Sequence, residues 1–272
     1  MICILYNKNA NNGRGNRRAY KLYKKLSKKE ETLIKELDIN TLNDDLNKLG
    51  ENDKLVISGG DGTLHHFINN IDTNNINTKV YLLKDGSGND YAKEHKGKLF
   101  EITDELKNLP TFKMNEKTIR FINGVGVGVD ALVCKRINEN IHKSTYFKVA
   151  KAAFKDFKPF SIDLEIDGIK HHYDKVLFCT CQHGKYFGGG MKIAPFAKRN
   201  DDYLDLYIVY NIGLTKLLML FPLIYLGLHT LVKKNVVYYR CKKVKLESKT
   251  PDLFLQAEGE VREFSGCIDI ER

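Results

Sequence analysis

Three loops rich in glycine, asparagine and aspartate have residue types that suit the binding of phosphate groups. They span residues 7–15, 58–63 and 85–90, and each follows a short apolar segment. Glycine lets the backbone approach a phosphate closely and present its N–H groups to the oxygens. Asp61 adds the carboxylate that Mg²⁺ bound to a nucleotide would need. The loops therefore predict a phosphate-binding site with a divalent cation.

The segments between these loops predict the elements that position them. Residues 2–6, 55–58 and 80–83 are short, wholly apolar runs, and residues 18–29 and 64–71 have helical spacing. This strand–helix–strand order predicts a parallel sheet that is buried on both faces. All three loops would then leave the carboxyl ends of strands at one edge, where open α/β sheets bind ligands.

The second part of the chain has a different pattern, which predicts an antiparallel β domain. Apolar residues alternate with charged ones over 162–166, and Asp167-Gly168 predicts a hairpin turn. A helical hairpin with a kink or break at Pro222 is expected near residues 213–230. The predicted domains are an N-terminal α/β nucleotide-binding domain, residues 1–112, and a C-terminal antiparallel β-sandwich, residues 113–272.

The net charge of +10 is unevenly distributed between the two parts. Residues 1–110 carry 18 basic and 16 acidic residues, whereas residues 111–272 carry 26 and 18. The second part therefore holds a net +8, which favours an anionic partner for that part of the chain.

Several function classes lack their sequence signals here. Neither a P-loop motif nor a GxGxxG motif is present, and the six cysteines have no metal-binding spacing. The longest apolar run, residues 212–228, is shorter than the roughly 20 residues of a membrane span. With no signal-peptide pattern, the expected location is the cytoplasm.

Two of the glycine loops carry motifs of a known family. Residues 59–63, Gly-Gly-Asp-Gly-Thr, resemble the GGDGT signature that diacylglycerol, sphingosine and NAD kinases share. Residues 86–90, Gly-Ser-Gly-Asn-Asp, resemble the GTGND element of the diacylglycerol and lipid kinase catalytic domain. The second motif is the one that separates lipid kinases from NAD kinases.

Three further motifs follow in the order of that family. Residues 126–131 resemble its GxGxDA element, and residues 189–205 resemble its glycine- and aspartate-rich block. Residues 258–260, Glu-Gly-Glu, stand where the family has Asp-Gly-Glu. The chain is identified as a member of the diacylglycerol kinase catalytic-domain family, which includes bacterial lipid kinases.

The resemblance implies a two-domain fold that binds ATP and Mg²⁺ in a cleft. The first domain would resemble that of NAD kinases and phosphofructokinases, and the second would be a β-sandwich. The chain departs from the family at Lys8 and Lys84, where proline is usual. Only 12 residues follow Glu260, so the usual C-terminal return to the first domain is expected to be shortened.

The resemblance also assigns roles to residues of this chain. Asp61, Asp90 and Asp130 would form an acidic network around the catalytic Mg²⁺. Glu258 would be the general base and Glu260 the second catalytic carboxylate, both on one face of a strand. The expected nucleotide contacts are Asn9, Gly59, Gly60, Asp61, Gly62, Thr63, Ser87, Asn89 and Asp90.

A second, structural Mg²⁺ is implied by some bacterial members. Its ligands would be Lys198, Asp201 and Tyr203, the outer two through backbone carbonyls. A plain acidic turn before a strand explains the same residues, and the sequence leaves both interpretations open.

The function expected from the resemblance is ATP-dependent transfer of the γ-phosphoryl group to a lipid hydroxyl, with diacylglycerol as the default acceptor. Two alternatives stay open: an NAD kinase-like phosphotransferase, and a nucleotide- or lipid-binding regulator without turnover. Glutamate at 258 in place of aspartate, the lost prolines and the short C-terminus keep the second alternative open.

The partners follow from the same reasoning. Apolar residues in 213–229, followed by lysines, predict peripheral contact with an anionic membrane surface. Polar substitutions of Leu217, Leu218 and Phe221 are expected to weaken that contact. No nucleic-acid-binding module is recognisable, and a homodimer is left open.

Overall fold

A boundary between Leu109 and Pro110 divides the chain into two units, Met1–Leu109 and Pro110–Arg272. The structure is a computed structural model that describes residues 1–13, 15–86, 88–139, 146–264 and 266–272. Within helices, the side chains of residues 11, 12, 146, 147, 214 and 218 are outside that description. The sequence prediction placed the domain boundary three residues later, at 112/113.

The first unit is built on a five-stranded sheet with the order β2-β1-β3-β4-β5. Its strands are β1 (Ile2–Tyr6), β2 (Thr32–Glu36), β3 (Lys54–Gly59), β4 (Lys79–Lys84) and β5 (Leu99–Glu101). Its α-helices are α1 (Ala10–Gly13), α2 (Asn16–Leu26), α3 (Leu42–Asn47) and α4 (Asp61–Asn70). Strands β1 to β4 pair in parallel, so their carboxyl ends share one edge. The loops after β1, β3 and β4 all start there.

The predicted parallel pairing of β1, β3 and β4 is confirmed, and an edge strand that the sequence did not predict makes the sheet mixed. Strand β5 runs antiparallel to β4. The chain between them forms a short 3₁₀ turn, Tyr91–Glu94, instead of a crossover helix. A parallel pair needs such a crossover, so a short return produces an antiparallel edge.

The second unit contains one extended antiparallel sheet. Its strands are β6 (Thr111–Met114), β7 (Lys117–Arg120), β8 (Gly124–Gly128), β9 (Phe160–Ile166), β10 (Ile169–Gln182), β11 (Leu204–Tyr210), β12 (Val236–Cys241), β13 (Lys243–Glu247), β14 (Phe254–Ala257), β15 (Glu260–Glu263) and β16 (Cys267–Glu271). Its α-helices are α5 (Val129–Glu139), α6 (Tyr146–Asp156) and α7 (Leu214–Leu226). The main order is β15-β14-β8-β10-β9-β13-β16-β6-β7, with β11 beside β10 and β12 beside β11.

A single core joins strands from distant positions of this sheet. Strands β6, β8, β11, β13, β14 and β16 all contribute buried side chains to one cluster. Strand β9 alternates buried and exposed residues along its whole length, as the sequence predicted. The hairpin at Asp167-Gly168 is also confirmed, because both residues have positive φ and Ile166 pairs with Ile169.

Helix α7 covers the other face of strand β11. Tyr207 and Val209 of β11 pack against Leu217, Leu220 and Ile224 of the helix. The helix continues through Pro222 and ends at Gly227, which has a left-handed φ of 74°. The expected helical hairpin is therefore wrong: one helix is followed by a short 3₁₀ turn, His229–Leu231.

The side chains of α7 also correct the expected membrane contacts. Leu217 and Phe221 are 1% and 8% exposed, so they belong to the core rather than to a surface. The side chain of Leu218 lies outside the described residues. In the described ranges, no helix is both long and apolar enough to span a membrane.

Candidate active site

The loops after β3 and β4 cross each other with no space for a side chain between them. A Cβ on Gly60 would lie 2.7 Å from the Cα of Gly86, and a Cβ on Gly86 would lie closer still to the Cα of Gly60. The backbone N–H of Asp85 donates to the Gly59 carbonyl at 2.9 Å. The motifs at residues 59–63 and 86–90 are therefore in direct backbone contact at the carboxyl edge of the sheet.

Gly59 is needed for a different contact in the same loop. A Cβ at this position would overlap the side chain of Thr63. Thr63 is buried, and its hydroxyl accepts a hydrogen bond from the Asn7 side-chain amide at 3.0 Å. Asn7 therefore connects the loop after β1 to this site. The sequence prediction chose Asn9, which is exposed and whose N–H donates to the Asn7 side chain.

Asp61 joins the two crossing loops through its carboxylate. One oxygen accepts the backbone N–H of Asp90 and the other accepts that of Tyr91, both at 2.9 Å. Both donors lie at the start of the 3₁₀ turn, where backbone N–H groups lack partners within the turn. Asp61 therefore fixes the start of this turn against the N-terminus of α4.

Asn89 and Asp90 complete the second loop. Asn89 has φ 54°, and its side-chain oxygen accepts the Gly86 N–H at 2.9 Å. Asp90 is nearly buried and pairs with Lys93 at 3.3 Å. The Asn89 side chain thus stabilises the backbone of its own loop. Ser87, another predicted nucleotide contact, lies outside the described residues.

The N-terminus of helix α4 is the part of this site that best suits a phosphate. Gly60 is its N-cap in an extended conformation, and the first turn contains Asp61, Gly62 and Thr63. Over the described chain, a Cβ on Gly62 would meet no atom within 4 Å. The first-turn N–H groups of a helix attract anions. Open space above Gly62 therefore fits a nucleotide phosphate.

In the second unit, Asp130 lies at the start of α5, directly after the glycine-rich strand β8. Its Oδ2 is 3.5 Å from the Gln256 side-chain amide, and a Cβ on Gly126 would overlap that oxygen. Burial raises the pKa of Asp130 to about 6, against hydrogen bonds from Ala131 and Gln256. Its Oδ1 is buried with no hydrogen-bond partner among the described residues. A buried carboxylate oxygen of this kind fits a cation or a proton donor.

Glu258 is held by the segment that precedes strand β8. Its Oε1 accepts the backbone N–H groups of Ile122, Asn123 and Gly124 at 2.9, 2.5 and 3.3 Å. Its Oε2 accepts the Asn123 side-chain amide at 2.6 Å. The carboxylate is nearly buried, so these bonds fix it and tie two strands together.

Glu258 and Gly259 form the two-residue turn between β14 and β15. Their φ values are 52° and 90°, and Ala257 pairs with Glu260. The expectation that Glu258 and Glu260 share one strand face is therefore wrong, because the turn separates them. Glu260 instead accepts a hydrogen bond from Arg262 at 2.9 Å. A glutamate with positive φ is uncommon and marks a position that its surroundings must stabilise.

A basic residue sets the orientation of the amide that holds Glu258. Arg199 donates through Nη2 to the Asn123 side-chain oxygen at 2.7 Å, and its Nη1 donates to the Ile122 carbonyl. Because a guanidinium can only donate, the Asn123 oxygen must face it and the NH₂ group must face Glu258. The family motifs predicted neither Asn123 nor Arg199. Asn123 directly precedes the glycine-rich strand β8, which could have pointed to it, whereas no sequence pattern around Arg199 indicates its role.

In the predicted second magnesium site, the Asp201 carboxylate and the Lys198 carbonyl take part in local hydrogen bonds. The Asp201 carboxylate accepts the Tyr203 N–H at 3.1 Å and Arg240 Nη2 at 2.5 Å. The Lys198 carbonyl accepts the Asp201 N–H at 3.3 Å. The Arg240 guanidinium also stacks over the Tyr203 ring at 4.5 Å. In this structure the Arg240 guanidinium therefore takes the place of a cation beside Asp201, and the Mg²⁺ site at these three residues stays a prediction.

Comparison with known families covers nearly the entire chain. Residues 1–121 match the diacylglycerol kinase catalytic domain, and residues 123–266 match the YegS C-terminal NAD kinase beta sandwich-like domain. YtlR of Bacillus subtilis (strain 168), which is named only provisionally as a lipid kinase, is 26% identical over 76% of this chain and 74% of its own length.

Two further proteins carry the name diacylglycerol kinase. One, from Mycobacterium tuberculosis (strain ATCC 25618 / H37Rv), is 25% identical over 76% of this chain and 70% of that protein. A crystal structure of a diacylglycerol kinase from Bacillus anthracis str. Sterne has a TM-score of 0.69 and 17% identity, over all of this chain and 94% of that one. The structural likeness supports the two-domain fold, an α/β domain followed by an antiparallel β domain. The two matching family models, over residues 1–121 and 123–266, show that this chain belongs to the diacylglycerol kinase family.

Proposed function

We propose that this protein is an ATP-dependent lipid kinase that transfers the γ-phosphoryl group of ATP to a lipid hydroxyl, with diacylglycerol as the acceptor. The observation that carries the proposal is the crossing of Gly60 and Gly86. It fixes two motif loops at the N-terminus of α4, in a chain that belongs to a kinase family.

The first unit would bind the nucleotide. Backbone N–H groups at the start of α4 would hold phosphate oxygens, and Gly62 leaves the space that they need. Asp61 would keep the two loops in register while it faces the cation. Mg²⁺, when bound, would neutralise charge on the phosphate oxygens.

The second unit would handle the proton of the lipid hydroxyl. Glu258 is the proposed acceptor, and its four hydrogen bonds orient the carboxylate before substrate arrives. Preorganisation of this kind matters because small displacements of a catalytic group cost rate. Asp130, whose buried Oδ1 has no hydrogen-bond partner among the described residues, is a further carboxylate of this unit that would take part in the reaction.

Diacylglycerol is proposed as the acceptor because relatives from Mycobacterium tuberculosis and Staphylococcus aureus are named diacylglycerol kinases. These relatives are 25% and 27% identical to this chain.

The test is transfer of radiolabelled γ-phosphate from ATP to a panel of acceptors, with and without Mg²⁺. The panel should contain diacylglycerol, a sphingoid base, a polyprenol and NAD. We expect Mg²⁺-dependent labelling of diacylglycerol. Labelling of NAD alone would favour the NAD kinase-like alternative, and ATP binding without any labelled product would favour a regulator.

A further inference from the structure

Helix α7 and the turn after it expose large apolar side chains on the outside of the second unit. Met219, Leu226 and Leu231 are 69%, 64% and 72% exposed. Tyr225 and Leu228 are also exposed, at 40% and 43%. These five residues define what we call the α7 patch.

Helix α7 packs against the sheet and, through the Phe221–Phe154 ring contact, against α6, yet its outer side is apolar. A surface helix normally turns polar residues to water. The inner side of α7 is already filled, since Leu217, Leu220 and Ile224 pack against the sheet. Met219, Leu226 and Leu231 are left outside that core, and exposed apolar side chains grouped on one helix and the turn after it are typical of an interaction site.

The charges around the patch are of one sign. Residues 206–246 contain seven Lys or Arg residues and no Asp or Glu. Three of the lysines, Lys216, Lys233 and Lys234, lie next to the patch in sequence and are exposed. Over the described part of the chain, Arg240, Lys243 and Lys245 form ion pairs with carboxylates, whereas these three lysines form none.

We propose that the α7 patch rests on an anionic lipid bilayer, with Met219, Leu226 and Leu231 entering the headgroup region and Lys216, Lys233 and Lys234 facing the anionic lipids. Apolar side chains and lysines on one surface are the combination that binds such bilayers. This membrane contact rests on the proposed function, because a lipid kinase meets its acceptor in a membrane.

The helix is well fixed for this contact. Its C-terminus is closed by Gly227, whose N–H donates to the Ile224 carbonyl at 3.0 Å, and by a 2.8 Å bond from Leu228 N–H to the Leu223 carbonyl. A Cβ on Gly227 would lie 3.0 Å from Pro195. The turn thus holds Leu228 and Leu231 beside the end of the helix, and exposed residues can be changed without opening the core.

The experiment is sedimentation of the full chain with vesicles of phosphatidylcholine alone or of an equal mixture with phosphatidylglycerol. We expect binding to the mixed vesicles that weakens as salt is added. The combined variant Met219→Gln, Leu226→Gln and Leu231→Gln should bind about ten-fold more weakly, as should Lys233→Ser with Lys234→Ser.

A matched control changes exposed apolar residues elsewhere. Leu33 and Ile169 are 52% and 64% exposed and lie on strands β2 and β10. Leu33→Gln with Ile169→Gln should bind vesicles like the unmodified chain. Equal sedimentation of the patch variant and this control would overturn the proposal.

Light scattering tests the other occupant of such a surface, a second copy of the chain. If the unmodified chain is a dimer, the patch variant is a monomer and neither protein binds vesicles, the patch is an interface between copies and the proposal is overturned.

Activity measurements separate this proposal from the proposed function. With a short-chain diacylglycerol dissolved as single molecules, the patch variant should turn over ATP like the unmodified chain, and its rate should fall only on vesicle-bound substrate. If no acceptor is phosphorylated at all, the proposed function fails, whereas the vesicle result still decides the membrane contact.

Discussion

At the scale of single residues, the crossing of Gly60 and Gly86 leaves no space for a methyl group. In Gly86→Ala, the new Cβ would overlap the Cα of Gly60, so the two loops must separate. We expect a loss of about 1–3 kcal/mol in the free energy of unfolding, typical of overpacking, and loss of ATP binding. Urea denaturation and titration calorimetry measure the two effects.

Gly62→Ala is the matched comparison within the same loop. Its Cβ meets no atom of the described chain and lies in the first turn of a helix, where alanine is favoured over glycine. Stability should therefore not fall, while ATP affinity should, because a phosphate would occupy that space. Normal ATP binding by Gly86→Ala would contradict the assignment of the site.

The second prediction at this scale concerns the proton acceptor. Glu258→Gln should lower kcat by at least about 100-fold, the lower range for a general base. The glutamine side chain also places an NH₂ group near the N–H donors that bind the Glu258 carboxylate. The folding of the variant must therefore be checked by circular dichroism. Glu263→Gln, at the exposed end of β15, is the control. Near-native kcat for Glu258→Gln would point to Asp130 or Glu260 instead.

At the scale of elements, the short turn after α7 contains a histidine whose protonation opposes folding. His229 is fully buried, and its Nε2 lies 2.9 Å from the Ile193 carbonyl. Burial lowers its pKa to about 4 from an ordinary 6.5. Between these values the unfolded chain binds a proton that the folded chain does not, so stability falls as the pH decreases.

The expected loss from this residue is about 3 kcal/mol between about pH 6.5 and pH 4. His229→Gln, whose side-chain amide can still donate to the Ile193 carbonyl, should remove this dependence. The difference between the two proteins in urea denaturation at each pH is the measurement. Taking this difference cancels the contributions that His183 and Asp130, whose pKa values burial also shifts, make to the pH dependence of stability. An unchanged pH dependence in the variant would rule out the buried neutral histidine.

At the scale of the whole molecule, the two units differ in charge as they do in fold. The nearly neutral first unit carries the glycine loops, and the basic second unit carries the α7 patch and Glu258. The salt dependence expected for vesicle binding therefore belongs to the second unit. Nucleotide binding by backbone N–H groups of α4 should depend on salt much less.

The sequence by itself determined the family, the fold class and the positions of the glycine-rich loops. Glycine at 59, 60 and 86 and apolar strands before each loop are local signals, because one residue type or one short period specifies each. The alternation over β9 and the turn at Asp167-Gly168 were predictable for the same reason. The exposed strand β2 lacked an apolar run and was missed.

Only the tertiary structure decided which side chains meet. Glu258 contacts Asn123 across 135 positions of sequence, and Arg199 reaches Asn123 across 76. Asp201 pairs with Arg240, 39 positions further along the chain. The apolar residues of α7 divide into a buried row and an exposed row, although their composition is uniform. Such contacts depend on how distant strands pair, and no spacing along the chain records that pairing.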